Sequence, residues 1–570
     1  MNILGISGWK DLNRYFENTQ VLPLHDASAA LISNNKIIAV GEEERFTRNK
    51  HGYDAFPVNA AAFCLSKGNL TLNDIDLIAI YWDFPYHAKI KNEEWGVSDD
   101  ELINTIFPKK YFPRDKNPKL KFVNHHLSHA ASAWSCSDFE ESVVIVVDGQ
   151  GENVSTSIWL AKEGKLKLLR QSKSTASLGF FYEAVTEYVG LEANEPGKTM
   201  GLSSYGTPVY ELEKYFILED GEICLKENPK IDEMRDFDEQ EQVRNYWKSV
   251  FEKLIGEQNE QRISFDKTSS YFSRKTDFDE KYKDLAASGQ KAIEKIVLEL
   301  VKWGVKSTGT KNLCLAGGVA LNCVMNGKII QSGLIDNIFI QPMAHDAGAA
   351  LGAAISCNNN KITNFEGIYL GPEFSNKEIE TELQRNKIKY QKSNDVCLEA
   401  AKFLNEGKII GWFQGRMEVG PRALGNRSIL ANPIFKNAKD LVNENVKFRE
   451  IWRPFAPSLL QEDMNIYLKD AYKSPYMILN FEVTDEALEK IPGVLHVDKT
   501  VRPHTVTKES NPKYYELISK FKELTGVSVL LNTSFNVKGE PIVCTPRDAI
   551  RTFYSCGMDY LIMGDFILSK

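Results

Sequence analysis

Two stretches of the chain repeat one pattern of apolar and polar positions. ILGISG (3–8), HDASAALIS (25–33) and KIIAVGEEERF (36–46) form the first, and VVIVVDGQGE (143–152), VSTSIWLAK (154–162) and KLKLLRQ (165–171) form the second. Each is an apolar, β-branched run ended by a polar or glycine-rich turn, a second run, a tight turn (NN or EG) and a third run. That pattern predicts three strands, used twice. Ile293, Ile296, Val297 and Leu300 then recur at helical spacing within Leu285–Trp303, predicting a helix with one core-facing stripe. NLCLAGGVALNCVMNGKI (312–329) reads as strand, two glycines and helix. DNIFIQPMAHDAGAALGAAIS (336–356) reads as strand, loop and a small-residue helix able to pack closely. Patterning lapses over CNNNKITNFEG (357–367) and restarts at a capping box, Ser375 with Glu378. The expected domains are therefore 1–360 and 366–570. The stretch from Glu219 to Gln261 is charged and weakly patterned, and is expected to be a solvated insertion or surface helices.

A duplicated three-strand unit predicts an α/β protein with two similar lobes facing one another, as in actin-like (ASKHA) and sugar-kinase-like ATPases, where nucleotide lies between lobes. At 570 residues the chain is too long for one ordinary core. Its 43% hydrophobic and 26% charged residues are ordinary for a globular protein. A net charge of -8 argues against a nucleic-acid partner without excluding a local cationic pocket. No apolar run is long enough to span a bilayer and no secretory signal opens the chain, so no membrane partner is expected. Nine scattered cysteines without a CxxC pair read as reduced thiols of a cytoplasmic protein.

VNHHLSHAASAW (123–134) packs three histidines into five residues. On a helix His125 and His129 share a face, either as two ligands of one metal or as hydrogen-bonded core histidines, and His126 points elsewhere. Asp148 and Asp346 each follow an apolar strand at a glycine-rich or small-residue turn, positions suited to a metal or phosphate. A His2Asp2 set suits Fe(II), Mn(II) or Zn(II). Glycine-rich backbone in DGQGE (Gly149, Gly151) and AGGVALN (Gly317, Gly318, ending on Asn322), with Lys198 in EPGKTMGLSSYG, suggests a nucleotide site. His25 is a general-base candidate or a structural anchor of its turn. Arg45, Arg48 and Lys50 form a surface run or reach the cleft. In the second domain Arg416, Arg422 and Arg427, then Lys447, Arg449 and Arg453, then Arg502, then Ser534, Asn536 and Lys538 lie among Gly, Pro and apolar residues, which suits oxyanion binding better than a solvated face.

HDASAA, EEERFTRNKH, VNHHLSHAASA, DGQGE, GLSSYG, AGGVALN, DAGAALGA, GPRALGNRSIL, WRPFAPS and LNTSFNVKGEPIV occur in that order. Together they make the chain resemble the O-carbamoyltransferases of antibiotic and nodulation-factor biosynthesis, over essentially its whole length. The resemblance implies an N-terminal ASKHA-type domain and a C-terminal YrdC-like α/β domain. The latter would make carbamoyl adenylate from carbamoyl phosphate and ATP. The former would pass the carbamoyl group to a hydroxyl of a small-molecule acceptor. It implies Fe(II) on His125, His129, Asp148 and Asp346, with Mn or Zn as alternatives, and His25 as base. Lys50, Gly317 and Gly318 fall on nucleotide-contact motifs. Arg422, Lys447, Arg453, Arg502, Ser534 and Asn536 fall on carbamoyl-phosphate and ATP motifs, and Arg416 is grouped with them. Segments 9–24 and 82–118, with Trp82 and Asp83, lie where an acceptor could be covered; a packed aromatic lid is the alternative. A homodimer is left open. Competing classes are a carbamoyl-transfer enzyme acting on tRNA or a protein partner, and a non-catalytic nucleotide-binding regulator.

Overall fold

The computed structural model describes residues 1–16, 24–227, 236–260, 263–266, 271–274, 278–358, 365–450 and 452–570. Parts of three sequence-predicted segments, 9–24, 219–261 and 357–367, therefore lie outside the described residues. The chain divides into two compact units. One comprises Met1–Phe84, Trp95–Ser137 and Gln341–Lys570, and the other Pro85–Glu94 and Asp138–Ile340.

The predicted repeat is present, and each copy grows into a five-stranded sheet of the same plan. In the first unit Asn2–Ser7 is central. It runs antiparallel to Ser28–Ser33, which pairs antiparallel with Lys36–Glu42. On its other side it runs parallel to Leu77–Ile80, and that strand runs parallel to Lys119–Phe122. In the second unit Ser142–Val147 takes the central place. Val154–Lys162 and Lys165–Lys173 are antiparallel on one side, and Asn312–Ala316 and Asn337–Ile340 parallel on the other. This shared topology is the actin-like arrangement. Asp148 directly follows its central strand, and Asp26 lies just before the strand paired with the other, its carbonyl accepting from Ser7 Oγ at 3.1 Å.

Helix Asp346–Ser356 packs on helix His125–Ser135 and on the first sheet with almost no side chain between backbones. A Cβ on Gly352 would meet the Ser128 carbonyl oxygen at 1.7 Å, and one on Gly5 would meet that of Ala350 at 2.0 Å. The small-residue run DAGAALGA is what permits this approach. Gly352→Ala is expected to cost about 3 kcal/mol or more, since the obstruction is backbone that cannot repack. Urea unfolding would read this as a lower midpoint; an unchanged midpoint would contradict the packing.

The second unit contains a helix in both stretches where the sequence suggested one. The predicted helix over 285–303 is present within Glu280–Thr308. The charged stretch after Glu219, however, is not merely a solvated face. Within helix Asp236–Ile255, Val243, Trp247 and Phe251 are fully buried, and the Trp247 ring lies 4.6 Å from that of Phe181. Three apolar residues spaced four apart make a core stripe even in a helix rich in charged residues.

The C-terminal part of the first unit is an eight-stranded mixed sheet. Its centre is Ile410–Phe413, Arg427–Ala431, Val529–Ser534 and Ala456–Leu460, with helices including Val396–Asn405 and Pro512–Thr525 against it. The predicted capping box at Ser375 and Glu378 opens its first helix. The first sheet docks here through its edge strand Lys36–Glu42 and the segment that follows it. Val40 N–H donates to the Leu370 carbonyl at 3.2 Å, and Arg48 donates to the carbonyls of Ile542 and Pro541 at 2.6 and 2.7 Å. Among the described residues no helix is long and apolar enough to cross a membrane.

Candidate functional site

Asn124 caps helix His125–Ser135, its side chain accepting from the Leu127 N–H. His125 and His129, one helical turn apart, are both fully buried, and their Nε2 atoms lie 3.1 Å apart. Asp346, first residue of the helix packed alongside, brings Oδ1 to 3.7 Å from His125 Nε2 and 3.6 Å from His129 Nε2. Two imidazole nitrogens and a carboxylate oxygen thus converge within 3.7 Å of one another. Those are the separations that neighbouring ligands adopt around one ion at about 2.0–2.2 Å. The donor set therefore fits a divalent metal, whose charge would also offset the burial of the carboxylate. Tyr81 supports the set: its hydroxyl donates to Asp346 Oδ2 at 3.3 Å, and burial, then Asp346, raise that phenol well above its usual range. His126 is buried but lies outside this group of ligand atoms.

Asp148 belongs to the second unit. There its Oδ1 accepts from the Gly318 N–H at 2.8 Å, at the turn where Gly317, at φ +87°, approaches the Val147 carbonyl. Gly149 is pressed by Gly179, and Gly151 N–H closes its turn on the Val154 carbonyl at 2.6 Å. Asn322 caps helix Cys323–Gln331 and exchanges hydrogen bonds with Gln290, which also bonds Tyr182 and Glu294. Lys198 is buried and pairs with Glu195 at 2.5 Å.

His25 is exposed, with Nδ1 2.9 Å from Asp26 Oδ2. Burial opposes ionisation of Asp26, but His345, His25 and His51 outweigh it and hold the carboxyl well below its usual range. An ionised Asp26 fixes the His25 tautomer that leaves Nε2 as acceptor.

In the C-terminal sheet Lys447 Nζ donates to the carbonyl and side-chain oxygens of both Ser534 and Asn536 at 2.6–3.2 Å. Burial, then Arg449, Arg453 and Lys50, push its ammonium well below its usual range. Burial, then Arg453, do the same to Arg449, with Arg502 adding to it and Glu450 opposing. Cations that depress one another inside a protein would be relieved by a bound anion. Lys50, from the first sheet's side, adds to the positive charge felt at Lys447. Arg416 has other partners: its guanidinium donates to the carbonyls of Gly371, Leu370 and Ile38. Arg427, fully buried, likewise donates to backbone carbonyls, including those of Gln414 and Asn426, and lies 3.7 Å over the Phe413 ring. Arg422 follows Gly420 in a loop organised by Glu418, whose carboxylate accepts from the N–H groups of Leu424, Asn426 and Arg427. Trp82 is buried with its ring 5.0 Å from His125, and half-buried Asp83 follows it.

Residues 20–111 and 88–355 match the family described as Carbamoyltransferase N-terminus, and 401–570 match Carbamoyltransferase C-terminus. The chain belongs to the carbamoyltransferase family. Two similar proteins cover nearly all of this carbamoyltransferase, and a third covers less than half. Nodulation protein NolNO of Sinorhizobium fredii is 35% identical over 599 residues, 100% of this chain and 83% of its own. The uncharacterized protein sll1178 of Synechocystis is 36% identical over 96% of this chain and 95% of its own. The 3'-hydroxymethylcephem-O-carbamoyltransferase of Amycolatopsis lactamdurans is 34% identical over 44% of this chain and 48% of its own.

Several residues of the carbamoyltransferase's candidate sites escaped the sequence reading. Asp26 and Tyr81 stand directly beside residues that were singled out, yet nothing in the spacing marks them as partners of His25 and Asp346. Gln290 lies on the core-facing helix, where a polar residue amid a buried stripe was the available signal.

Proposed function

We propose that this carbamoyltransferase makes carbamoyl adenylate from carbamoyl phosphate and ATP in a YrdC-like C-terminal domain. It then transfers the carbamoyl group, at the histidine site, to a hydroxyl of a small-molecule acceptor. The observation that carries the reading is the presence of two unlike polar sites in the first unit: a buried N,N,O ligand set and a crowded cation cluster. The name of the cephem relative, an O-carbamoyltransferase of a hydroxymethyl compound, supports an alcohol acceptor.

Lys447, Arg453, Arg502 and Arg422 would neutralise the phosphates of the donor and of ATP, while Ser534 and Asn536 hold the Lys447 ammonium in place. Gly149, Gly151, Gly317, Gly318, Asn322 and Lys198 would cradle the adenylate in the duplicated part. Fe(II) held by His125, His129 and Asp346 would stabilise charge on the departing AMP phosphate. His25 Nε2, its ring oriented by Asp26, would accept the hydroxyl proton as oxygen attacks the carbamoyl carbon. Trp82 would shape the acceptor side of the pocket.

The test is incubation of the iron-loaded protein with ATP, carbamoyl phosphate and a panel of aminoglycoside, sugar and cephem alcohols, followed by mass spectrometry. The expected result is carbamoyl-phosphate-dependent AMP and a product heavier by one carbamoyl group. Nucleotide binding without AMP or product would instead favour a regulator, and product only on tRNA or a protein would move the acceptor to another class.

A further inference from the structure

Glu42 ends the edge strand Lys36–Glu42 of the first sheet and is buried. Its Oε2 accepts from Arg45 Nε at 3.0 Å and from the Gly420 N–H at 3.2 Å. Its Oε1 lies 3.6 Å from His345 Nε2. Arg45 completes the joint by donating to the Gly420 carbonyl at 2.8 Å and pairing with Glu44 at 2.7 Å. Gly420 stands two residues before Arg422, in the loop organised by Glu418. His345 immediately precedes Asp346 and is the N-cap of its helix. The two loops also touch: a Cβ on Gly420, at φ +95°, would meet the Pro342 carbonyl oxygen at 2.9 Å. One buried carboxylate therefore holds both the loop carrying a phosphate-site arginine and the residue next to the buried ligand Asp346. Burial opposes its ionisation, but Arg45 and His345 outweigh burial and hold the carboxyl down at about 2.

We infer that Glu42 is a positioning residue that sets the Arg422 loop and the Asp346 turn in one register, so that the intermediate formed at the cation cluster is consumed at the histidine site instead of being lost to water. The inference rests on the two-site reading above. A carbamoyl adenylate that escapes is cleaved when water adds to its carbamoyl carbon and the C–O bond to phosphate breaks. AMP leaves with the phosphate oxygen, and carbamate decomposes to ammonia and carbon dioxide. Loss of register therefore has a signature distinct from simple loss of activity: AMP and ammonia continue while carbamoylated product falls.

The experiment measures product formed per AMP released in the full-length protein with a saturating alcohol acceptor. Glu42→Gln keeps the volume but weakens the grip on Arg45, Gly420 and His345. It is expected to lower product per AMP at least about fivefold, with carbamoyl-phosphate-dependent AMP formation within about threefold of the parent. Should that variant fold poorly, Arg45→Lys keeps a cation beside Glu42 but loses the fork to Gly420, and it is expected to lower the same ratio. A ratio kept at the parental value in both variants, whatever the total rate, overturns the inference. A parent protein that releases no carbamoyl-phosphate-dependent AMP removes the two-site reading, and the inference with it.

Discussion

Replacing His129 with alanine is expected to cut carbamoyl transfer about a thousandfold or more while leaving adenylate formation within a few-fold of the parent. The size follows from the physics of the site. His129 Nε2 lies 3.1 Å from His125 Nε2 and 3.6 Å from Asp346 Oδ1, so its removal leaves one imidazole and one carboxylate of the unit's three converging donors. A metal that stabilises charge on a phosphoryl leaving group supplies several kcal/mol, and about 4 kcal/mol is a thousandfold in rate. The cation cluster lies on other elements, around Lys447 and the end of strand Val529–Ser534, so the first half-reaction should persist. Two measurements check this: metal per chain by elemental analysis, and single-turnover transfer from supplied carbamoyl adenylate. Transfer within tenfold of the parent, with metal content unchanged, would remove His129 from the proposed ligand set.

Arg502→Ala is expected to do the reverse. Arg502 Nε is buried and has no hydrogen-bond partner among the described residues. Its charge also bears on Arg449, already held well below its usual range by burial and Arg453. Such an arrangement gains from an anion and loses without one. Removing one charge-assisted contact to phosphate costs about 2–3 kcal/mol, so carbamoyl-phosphate-dependent ATP cleavage should fall by about a hundredfold. Transfer from supplied adenylate should be spared. The variant without ligand should melt no lower than the parent, because a like-charge repulsion has been relieved, while the upward melting shift produced by carbamoyl phosphate should shrink. Parental ATP cleavage together with a parental ligand-induced shift would contradict the assignment.

The parts of the protein that were legible from sequence share a physical property: they depend on local geometry. Two imidazoles four residues apart must share a helix face, and a carboxylate after an apolar strand must lie at a sheet end. The duplicated run–turn–run pattern likewise has one simple reading, and both five-stranded sheets grew from it. The arginines show where local pattern stops being informative. Arg416, Arg422 and Arg427 stand in one glycine-punctuated stretch and look alike in sequence. In the fold Arg416 and Arg427 are occupied by backbone carbonyls, whereas Arg422 sits on the loop that Glu418 shapes. Which of them faces a ligand depends on where strands Ile410–Phe413 and Arg427–Ala431 place their neighbours, and spacing does not carry that information. Trp247 makes the same point in reverse: Val243, Trp247 and Phe251 recur at helical spacing, but the charged residues between them masked the stripe.

By itself, then, the sequence determined the duplicated α/β plan, the family and the residue types that could perform carbamoyl transfer, because these rest on periodicity and on ordered motifs. Only the tertiary structure decided that Asp346 meets His125 and His129, that Asp26 orients His25, that Lys50 adds to the positive charge felt at Lys447, and that Glu42 grips both Gly420 and His345. These partners are separated by up to hundreds of residues. Their meeting is set by the backbone-close packing of helix Asp346–Ser356 and by the docking of the first sheet on the C-terminal one, contacts that form only when the whole unit folds.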